Sequence, residues 1–448
     1  MATGDTLAEP RNTDLMLKLE HDQLTFTFPE IAWQLTALLE QHIQQLRPKF
    51  HLPEDRSTLV EALRRFLHSN SEFQLRSDPE QTLYATAKSL TEADVENAFR
   101  ESAYEVARLH DESLASVTIG FQRTLRIPDD GKTYPLPAGL GLFPLRSVDD
   151  FAETAPASWV KRGGAVMPMY QSEALWIRFS SRYPFAVKIG SGKINAVSGE
   201  PWTPDLQREP QNYVVLPHQP WLDGFAVGEG VIRQFVAMPL GAGYSVEEQL
   251  TGQAEVGGIQ LQAYPMCADA YFREKVIPSL QSKLSELLPR LFAAHLVEEH
   301  YPVSRCLSSA MEGSMGLGAG GKMRQEIYQD PHPLAVWDQT QTRRCFVHLC
   351  NALVWREITG TNPPHPPLTA KEYQQARIPW FDYYRDDLKP LKGSERLAGV
   401  KSVAQLGQEK KSQPLPETSS ITPELILQYG NTRRPGEIRE FLGEQLEK

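Results

Sequence analysis

The block at residues 231–265 constrains the fold of this chain more than any other segment. It begins with the run VIRQFVAMPL, in which both alternating sets of side chains are mainly apolar. A strand that is apolar on both faces is covered on both faces, so this run predicts a strand near the middle of a sheet. A glycine-flanked loop and a second apolar strand follow. Arg233 and Gln234 interrupt the first strand, one on each face, and buried polar groups of this kind require partners.

The surrounding segment, residues 116–265, contains further strand patterns. Residues 117–127 alternate cleanly between apolar and polar side chains, with Arg123 on the apolar side. Further strands are predicted at 175–179, 185–189, 213–216 and 259–263. The connections between them are short and rich in turn residues, which favours antiparallel pairing over crossover helices.

The sequence therefore predicts an α+β fold with a helical N-terminal part, a central, mainly antiparallel sheet or sandwich, and a helical C-terminal part. The predicted regions are a mixed or helical one at 1–115, a β-rich core at 116–265, a helical one at 266–385, and a polar segment with a terminal helix at 386–448. The N-terminal region should contain a strand at 23–28 and helices at 30–45, at 57–67 and from Thr91. The C-terminal helices are predicted at 269–299, from about 322, at 343–358 and from Thr422.

Composition excludes several classes of protein. The chain has 448 residues, 56 of them acidic and 46 basic, and its net charge of -10 argues against general nucleic-acid binding. The four cysteines show neither zinc-ligand nor disulfide spacing, which is typical of reduced cytoplasmic thiols. We find no secretory signal and no apolar run approaching the ~20 residues of a membrane helix. A cytoplasmic protein without metal or other cofactor is expected.

The glycine-rich segment at 316–322, GLGAGGK, matches a dinucleotide-binding pattern and most of a phosphate-binding loop. Met323 stands where the phosphate-binding loop needs a hydroxyl for magnesium, and no buried parallel strand precedes the segment. We interpret it as a tight connection that leads into a helix, whose backbone amides could hold an anion.

A few polar residues of the β-rich region are candidates for a site. Ser245 and Glu248 form a predicted capping box, which leaves the neighbouring Glu247 free for acid–base chemistry. His218 and Asp223 lie in one turn and could form a general-base pair, but satisfied polar groups of the turn are the explanation we favour.

Arg123, Arg233 and Gln234 are candidate ligand-binding residues because they interrupt apolar strand faces. A buried arginine must be paired within the protein or meet a ligand. The alternative to ligand binding is a structural ion pair, which is the interpretation we favour from the residues alone.

Five segments together resemble a family of uncharacterised bacterial and fungal proteins. The resemblance covers most of residues 105–405, and it implies no activity, cofactor or site residue. It rests on the strings DGKTYPLPAGLG, YPFAVKIGSGKINAVSGEPW, VIRQFVAMPLGAGYSVEEQLTG, GLGAGGKMRQEIY and IPWFDYY.

Two functions remain open from the sequence. The first is a binding or self-assembly protein without catalysis, which could form a homo-oligomer or hold a small anionic ligand. The second is a cofactor-independent enzyme acting on a small anionic or carbonyl substrate in a cleft of the β-rich core. In that enzyme Arg123 or Arg233 would bind the anion, and Glu247 or the His218–Asp223 pair would transfer protons.

Overall fold

A computed structural model describes residues 17–46, 113–280, 314–385, 387–410 and 421–431, and also positions 91, 93, 97, 100, 103 and 104. The helix predicted at 57–67 lies outside the described residues. So do most of the helix predicted from Thr91 and the part of the 269–299 helix that follows residue 280.

The described chain contains many strands and few long helices. In its first half the elements are β1 (Leu17–Glu20), β2 (Gln23–Thr27), α1 (Pro29–Leu46), β3 (Ser116–Thr124), β4 (Thr133–Tyr134), β5 (Leu136–Pro137), β6 (Gly139–Leu142), β7 (Arg146–Ser147), α2 (Ala157–Arg162), β8 (Ala165–Met169), β9 (Ala174–Ser181), β10 (Phe185–Ser191), β11 (Ile194–Asn195) and β12 (Val214–Leu216). In its second half they are β13 (Trp221–Leu222), β14 (Gly224–Gly228), β15 (Val231–Pro239), α3 (Val246–Thr251), β16 (Ile259–Pro265), α4 (Ala268–Tyr271), β17 (Ser314–Arg324), β18 (Arg343–Asn351), α5 (Ala352–Thr359), α6 (Ala370–Gln375), β19 (Trp380–Arg385), α7 (Glu395–Ala398), α8 (Val403–Glu409) and β20 (Ile426–Asn431). A π turn continues α4 over Phe272–Val276, and short 3-10 turns lie at Asp149–Phe151 and Leu334–Val336.

The chain divides into two compact units. The smaller comprises Phe28–Ala115 and Met266–Arg305, and the larger comprises Met1–Thr27, Ser116–Pro265 and Cys306–Lys448. In the smaller unit, α1 buries one apolar stripe whose members recur at the spacing of a helix. They are Ile31, Leu35, Leu39 and Ile43. The Glu40 carboxylate on this helix accepts hydrogen bonds from Arg100 and Tyr104.

The larger unit is built on one large, mostly antiparallel sheet. On one side, β3 pairs with β2 and β9, β9 pairs with β15, and β15 pairs with β17, all antiparallel. On the other side, β18 pairs antiparallel with β16, and β16 pairs with β10. Two pairings in this sheet are parallel, β4 with β17 and β8 with β18. A separate three-stranded sheet has the order β20-β19-β5.

The prediction of a mainly antiparallel sheet with a doubly covered strand at 231–240 is confirmed. The seven interior residues of β15 are all buried, and the strand has partners on both edges. The sheet is wider than the predicted core, because β1, β2, β17 and β18 also belong to it.

The glycine-rich segment at 316–322 is not a connection leading into a helix, and that prediction is wrong. It forms the middle of β17, which pairs along β15. A Cβ atom placed at Gly318 would lie 2.8 Å from Val403, and one at Gly320 would lie 2.7 Å from Val236. The glycines therefore let neighbouring elements approach the strand closely. Propensity alone predicts a turn for such a glycine-rich run.

The predicted helix at 343–358 is also wrong in its first half. Residues 343–351 form β18, and the helix α5 begins only at Ala352. The run from Cys345 to Cys350 is buried on both faces. A short apolar run of this kind cannot be assigned to a strand or a helix by periodicity. It forms a strand here because its backbone pairs with β16 on one side and with β8 on the other.

The helical C-terminal part is not found in the described residues. Thr422, Pro423 and Glu424 precede the strand β20 rather than a helix. This strand pairs in parallel with β19, which supplies its hydrogen-bond partners. Because β19 is distant along the chain, the local sequence at 422–431 does not predict this pairing.

Candidate functional site

Arg123 lies half-buried on β3 and forms an ion pair with Glu173, which is buried. Its Nε and Nη2 atoms donate to Oε1 of Glu173 at 2.8 and 2.5 Å, and Nη2 also donates to the carbonyl oxygen of His365 at 2.6 Å. The other carboxylate oxygen accepts from the Tyr170 amide at 2.9 Å. Burial raises the pKa of Glu173, and the nearby Arg123 charge acts in the opposite direction. The pair holds three separate segments of chain together.

Arg233 and Gln234 also have partners within the protein. Nη1 of Arg233 donates to the Gly320 carbonyl at 3.1 Å and lies 3.5 Å from Oδ1 of Asp129. The Gln234 amide accepts from Ile127 N at 3.0 Å and donates to the Leu125 carbonyl at 2.8 Å. The Gln234 side chain thus forms the two hydrogen bonds with the backbone of Leu125 and Ile127 that a neighbouring strand would otherwise form.

Glu247 is not the free carboxylate that its sequence position predicts. It is buried, and its two oxygens accept from the Lys193 amide at 3.1 Å and the Gly257 amide at 2.7 Å. Burial raises the pKa of Glu247, while the amides lower it. The neighbouring capping box of Ser245 and Glu248 is present as predicted.

Asp223 is fully buried, and its carboxylate accepts from Nε2 of Gln325 at 3.0 Å. Burial raises the pKa of Asp223 well above its ordinary value. The backbone carbonyl of His218 accepts from the Tyr383 hydroxyl at 3.2 Å, and the imidazole acts electrostatically on Asp387. These partners explain the two residues without a joint proton-transfer role.

The structure does not bring the predicted site residues into one cluster. Within the described residues, no hydrogen bond or ion pair joins any of Arg123, Arg233, Gln234, Asp223 and Glu247 to another of them. Their roles in binding or catalysis stay predictions. A different group of polar residues, which sequence reasoning missed, shares one face of the sheet.

This group, the Lys188 site, consists of Lys188, Trp202, Gln260, Gln262 and Arg344. Strand register places four of its members on the same face. Lys188 of β10 is opposite Gln262 of β16, which is in turn opposite Arg344 of β18, and Gln260 lies two residues before Gln262. Successive side chains alternate between faces, so the four side chains project to one side.

Lys188 forms the floor of the site. It is only 1% exposed, and its Nζ atom donates to the carbonyl oxygens of Thr203 at 2.7 Å and Asp205 at 2.5 Å. Burial lowers its pKa to about 8, the Asp205 charge raises it, and the Arg344 charge lowers it further. A buried ammonium with neutral hydrogen-bond partners keeps much of its electrostatic attraction for an anion.

The Trp202 indole lies close to both cations of the site. It covers Gly190 so closely that a Cβ atom there would be 2.6 Å from the ring. The ring centroid is 5.2 Å from Nζ of Lys188 and 5.6 Å from Cζ of Arg344, both within cation–π range. Arg344 is exposed and Trp202 half-buried, so these two residues form the mouth of the site.

Two buried polar atoms of the site have no hydrogen-bond partner in the described structure, Nε1 of Trp202 and Oε1 of Gln262. The remaining amide atoms are used: Nε2 of Gln262 donates to Thr342, and Gln260 accepts from Arg344 and donates to Gly192. Within the same residues, neither Lys188 nor Arg344 lies in an ion pair with a carboxylate. The site therefore offers one donor, one acceptor and two positive charges.

No family model, curated protein or solved structure matches this chain. The site must therefore be interpreted from its own geometry. A sequence signal for it did exist, because Gln260 and Gln262 occupy alternate positions of one otherwise apolar strand and Lys188 interrupts another. What the pattern could not show is that the strands are adjacent and that Trp202, from a loop, covers them.

In the part of the chain that the structure describes, no group of three or more histidine, cysteine, aspartate or glutamate residues could hold a metal ion. None of the described helices is long and apolar enough to span a membrane.

Proposed function

We propose that this protein binds a small organic anion at the Lys188 site and acts as a binding protein without catalysis. The observation that carries the proposal is the pair of cations on one indole ring, neither of which has a carboxylate partner in the described structure. Of the two cations, Lys188 is buried, and a buried charge is unfavourable unless a group of opposite sign accompanies it.

The chemistry of the site narrows the ligand class. The Arg344 guanidinium suits a carboxylate or phosphate, which it can hold through two parallel hydrogen bonds. The Trp202 N–H can donate to a further oxygen, and Oε1 of Gln262 can accept from a hydroxyl group. These features favour a small carboxylate or phosphate ester that carries at least one hydroxyl group.

Calorimetric titration tests the proposal directly. The probes are malate, citrate, glycerol phosphate and inorganic phosphate, at constant ionic strength with chloride as the reference anion. We expect Arg344→Gln and Lys188→Met each to weaken binding at least about tenfold, equivalent to ~1.4 kcal/mol. The matched control is Arg178→Gln, which removes an exposed strand arginine on β9. The proposal fails if none of the four anions binds, or if Arg178→Gln weakens binding as much as Arg344→Gln.

The protein's own fluorescence locates the bound anion. The chain has eight tryptophans, so a change on titration must be assigned by removing one of them. We expect the anion-dependent change to disappear in Trp202→Phe and to persist in Trp33→Phe, which changes an exposed tryptophan. Persistence of the full change in Trp202→Phe would place the anion elsewhere.

A second candidate function, an enzyme acting on a small anionic carbonyl compound, is favoured by one observation. The Lys188 pKa of about 8 leaves about a tenth of this amine neutral at pH 7. A neutral amine can add to a carbonyl carbon and, with loss of water, form an imine. Incubation with pyruvate and cyanoborohydride would then give one reduced adduct on Lys188, absent in Lys188→Arg. Absence of any adduct would leave binding without catalysis as the proposal.

A further inference from the structure

Strand β20 is an edge strand, and together with Leu425, the residue before it, it carries most of the exposed large apolar side chains of the described chain. It pairs in parallel with β19 and, within the described residues, its other edge has no strand partner. Six large hydrophobic residues are exposed in the described part, and four of them lie at 425–429. These are Leu425 at 49%, Ile426 at 42%, Leu427 at 37% and Tyr429 at 49% exposed.

The edge lacks the devices that normally prevent strand pairing between molecules. Protected edges carry lysine or other charges, prolines or bulges. The segment LILQYGN at 425–431 contains neither a charged residue nor a proline, and β20 pairs with β19 in continuous register over six positions. A row of backbone donors and acceptors flanked by apolar side chains is suited to the addition of another strand.

We infer that β20 pairs antiparallel with β20 of a second copy of this chain, about a twofold axis at Gln428. An uncharged strand has no electrostatic repulsion against its own copy, whereas a recognition edge for a charged partner would present the opposite charge. In this register Leu427 lies opposite Tyr429 of the second copy. The twofold axis generates the same contact a second time, between Tyr429 of the first copy and Leu427 of the second. Aliphatic–aromatic pairs directly across two strands are among the more stabilising ones.

A contact within one chain holds Tyr429 in place on the face of β20 that would take part in the pairing. Leu427 and Tyr429 lie on the same face of β20, since they are two residues apart. Tyr429 already packs against Phe381 of β19, with ring centroids 5.4 Å apart. The pairing would join two three-stranded sheets into one of six strands. Because six residues per chain make a small interface, we expect a concentration-dependent dimer rather than an obligate one.

Sedimentation equilibrium of the full chain, from low to several hundred micromolar, tests the inference. We expect the wild type to approach the dimer mass, and Leu427→Lys to remain monomeric because it places like charges beside each other across the axis. The matched control, Leu368→Lys, changes another exposed leucine and should dimerise like the wild type. A wild type that stays monomeric, or a Leu427→Lys protein that dimerises as the wild type does, overturns the inference.

A disulfide tests the register independently. Two residues at the axis of an antiparallel pair have Cα atoms about 5 Å apart, which suits a disulfide. We therefore expect Gln428→Cys to form a covalent dimer on mild oxidation, and Gln253→Cys, in an exposed loop, to form none. Equal yields from the two variants would contradict the register. A full chain that is monomeric while a chain ending at Asn431 dimerises would also overturn the inference, since the edge would then belong to residues 432–448.

Discussion

His348 lies in an aromatic stack inside the larger unit. Its ring is stacked on Trp159 with centroids 4.5 Å apart and contacts Phe346 at 4.6 Å, and Nε2 is 3.1 Å from the Gly163 carbonyl oxygen. Burial lowers its pKa to about 4, the Gly163 hydrogen bond raises it, and the Arg162 charge lowers it. The folded protein thus keeps this imidazole neutral at pH values where an exposed histidine is charged.

This depressed pKa predicts that stability falls as the pH drops from about 6.5 towards 4. In that window the unfolded chain binds a proton at His348 that the folded chain does not, so the free energy of unfolding rises with pH. The full difference in pKa corresponds to at most ~3 kcal/mol. Urea unfolding at several pH values measures it. The variant His348→Phe, which keeps an aromatic ring, should show a shallower dependence on pH. An unchanged slope in that variant would show that other groups cause the loss.

At the level of single elements, β17 depends on its glycines. A Cβ atom at Gly321 would lie 2.3 Å from the Pro128 carbonyl oxygen and 3.0 Å from the Ile127 side chain. Backbone of this kind cannot move away without disturbing the pairing of the strand with β15. The close approach explains how a run so poor in strand propensity forms a strand.

We therefore expect Gly321→Ala to lower the free energy of unfolding by about 1–3 kcal/mol, as overpacked interiors do. The matched control is Gly407→Ala in α8, where a Cβ atom would meet no atom of the described residues within 4 Å. That change should be neutral or stabilise the protein by up to ~1 kcal/mol, because alanine favours helices. Denaturant unfolding of both variants makes the comparison. Equal stability of the two variants would contradict the explanation.

At the scale of the whole larger unit, two strand arginines, one half-buried and one buried, connect segments that are distant along the chain. Arg123 joins β3 to the turn before β9 and to residue 365. Arg233 joins β15 to the segment at 129 and to β17. The two differ in what their removal would leave behind, since the side chain of Glu173 is 1% exposed and that of Asp129 is 13% exposed.

This difference predicts an order of stability. Arg123→Ala should cost about 3–5 kcal/mol because it leaves Glu173 buried without its partner. Arg233→Ala should cost less, ~1–3 kcal/mol, because it leaves mainly a buried carbonyl unsatisfied. Thermal unfolding measures both, with Arg178→Ala as the exposed control. An Arg233→Ala protein that melts like the wild type would instead support a ligand-binding role for that residue.

The sequence predicted those parts of the fold in which one element's pattern is sufficient. The alternation at 117–127 and the doubly apolar run at 231–240 correspond to β3 and β15, and the capping box of Ser245 and Glu248 is present. Each of these signals comes from neighbouring residues along one chain segment. The sequence also shows that the isolated polar residues Arg123, Arg233 and Gln234 need partners, but it does not identify those partners.

By itself, then, the sequence determined which strands are covered and where polar groups interrupt them, because the buried faces of a strand appear as a regular pattern of apolar residues along it. Only the tertiary structure decided that GLGAGGK and residues 343–351 are strands, because their hydrogen-bond partners and close neighbours come from distant segments. It also decided that Lys188, Gln262 and Arg344 share one face beneath Trp202. Strand register, which no single segment encodes, brings these three residues together.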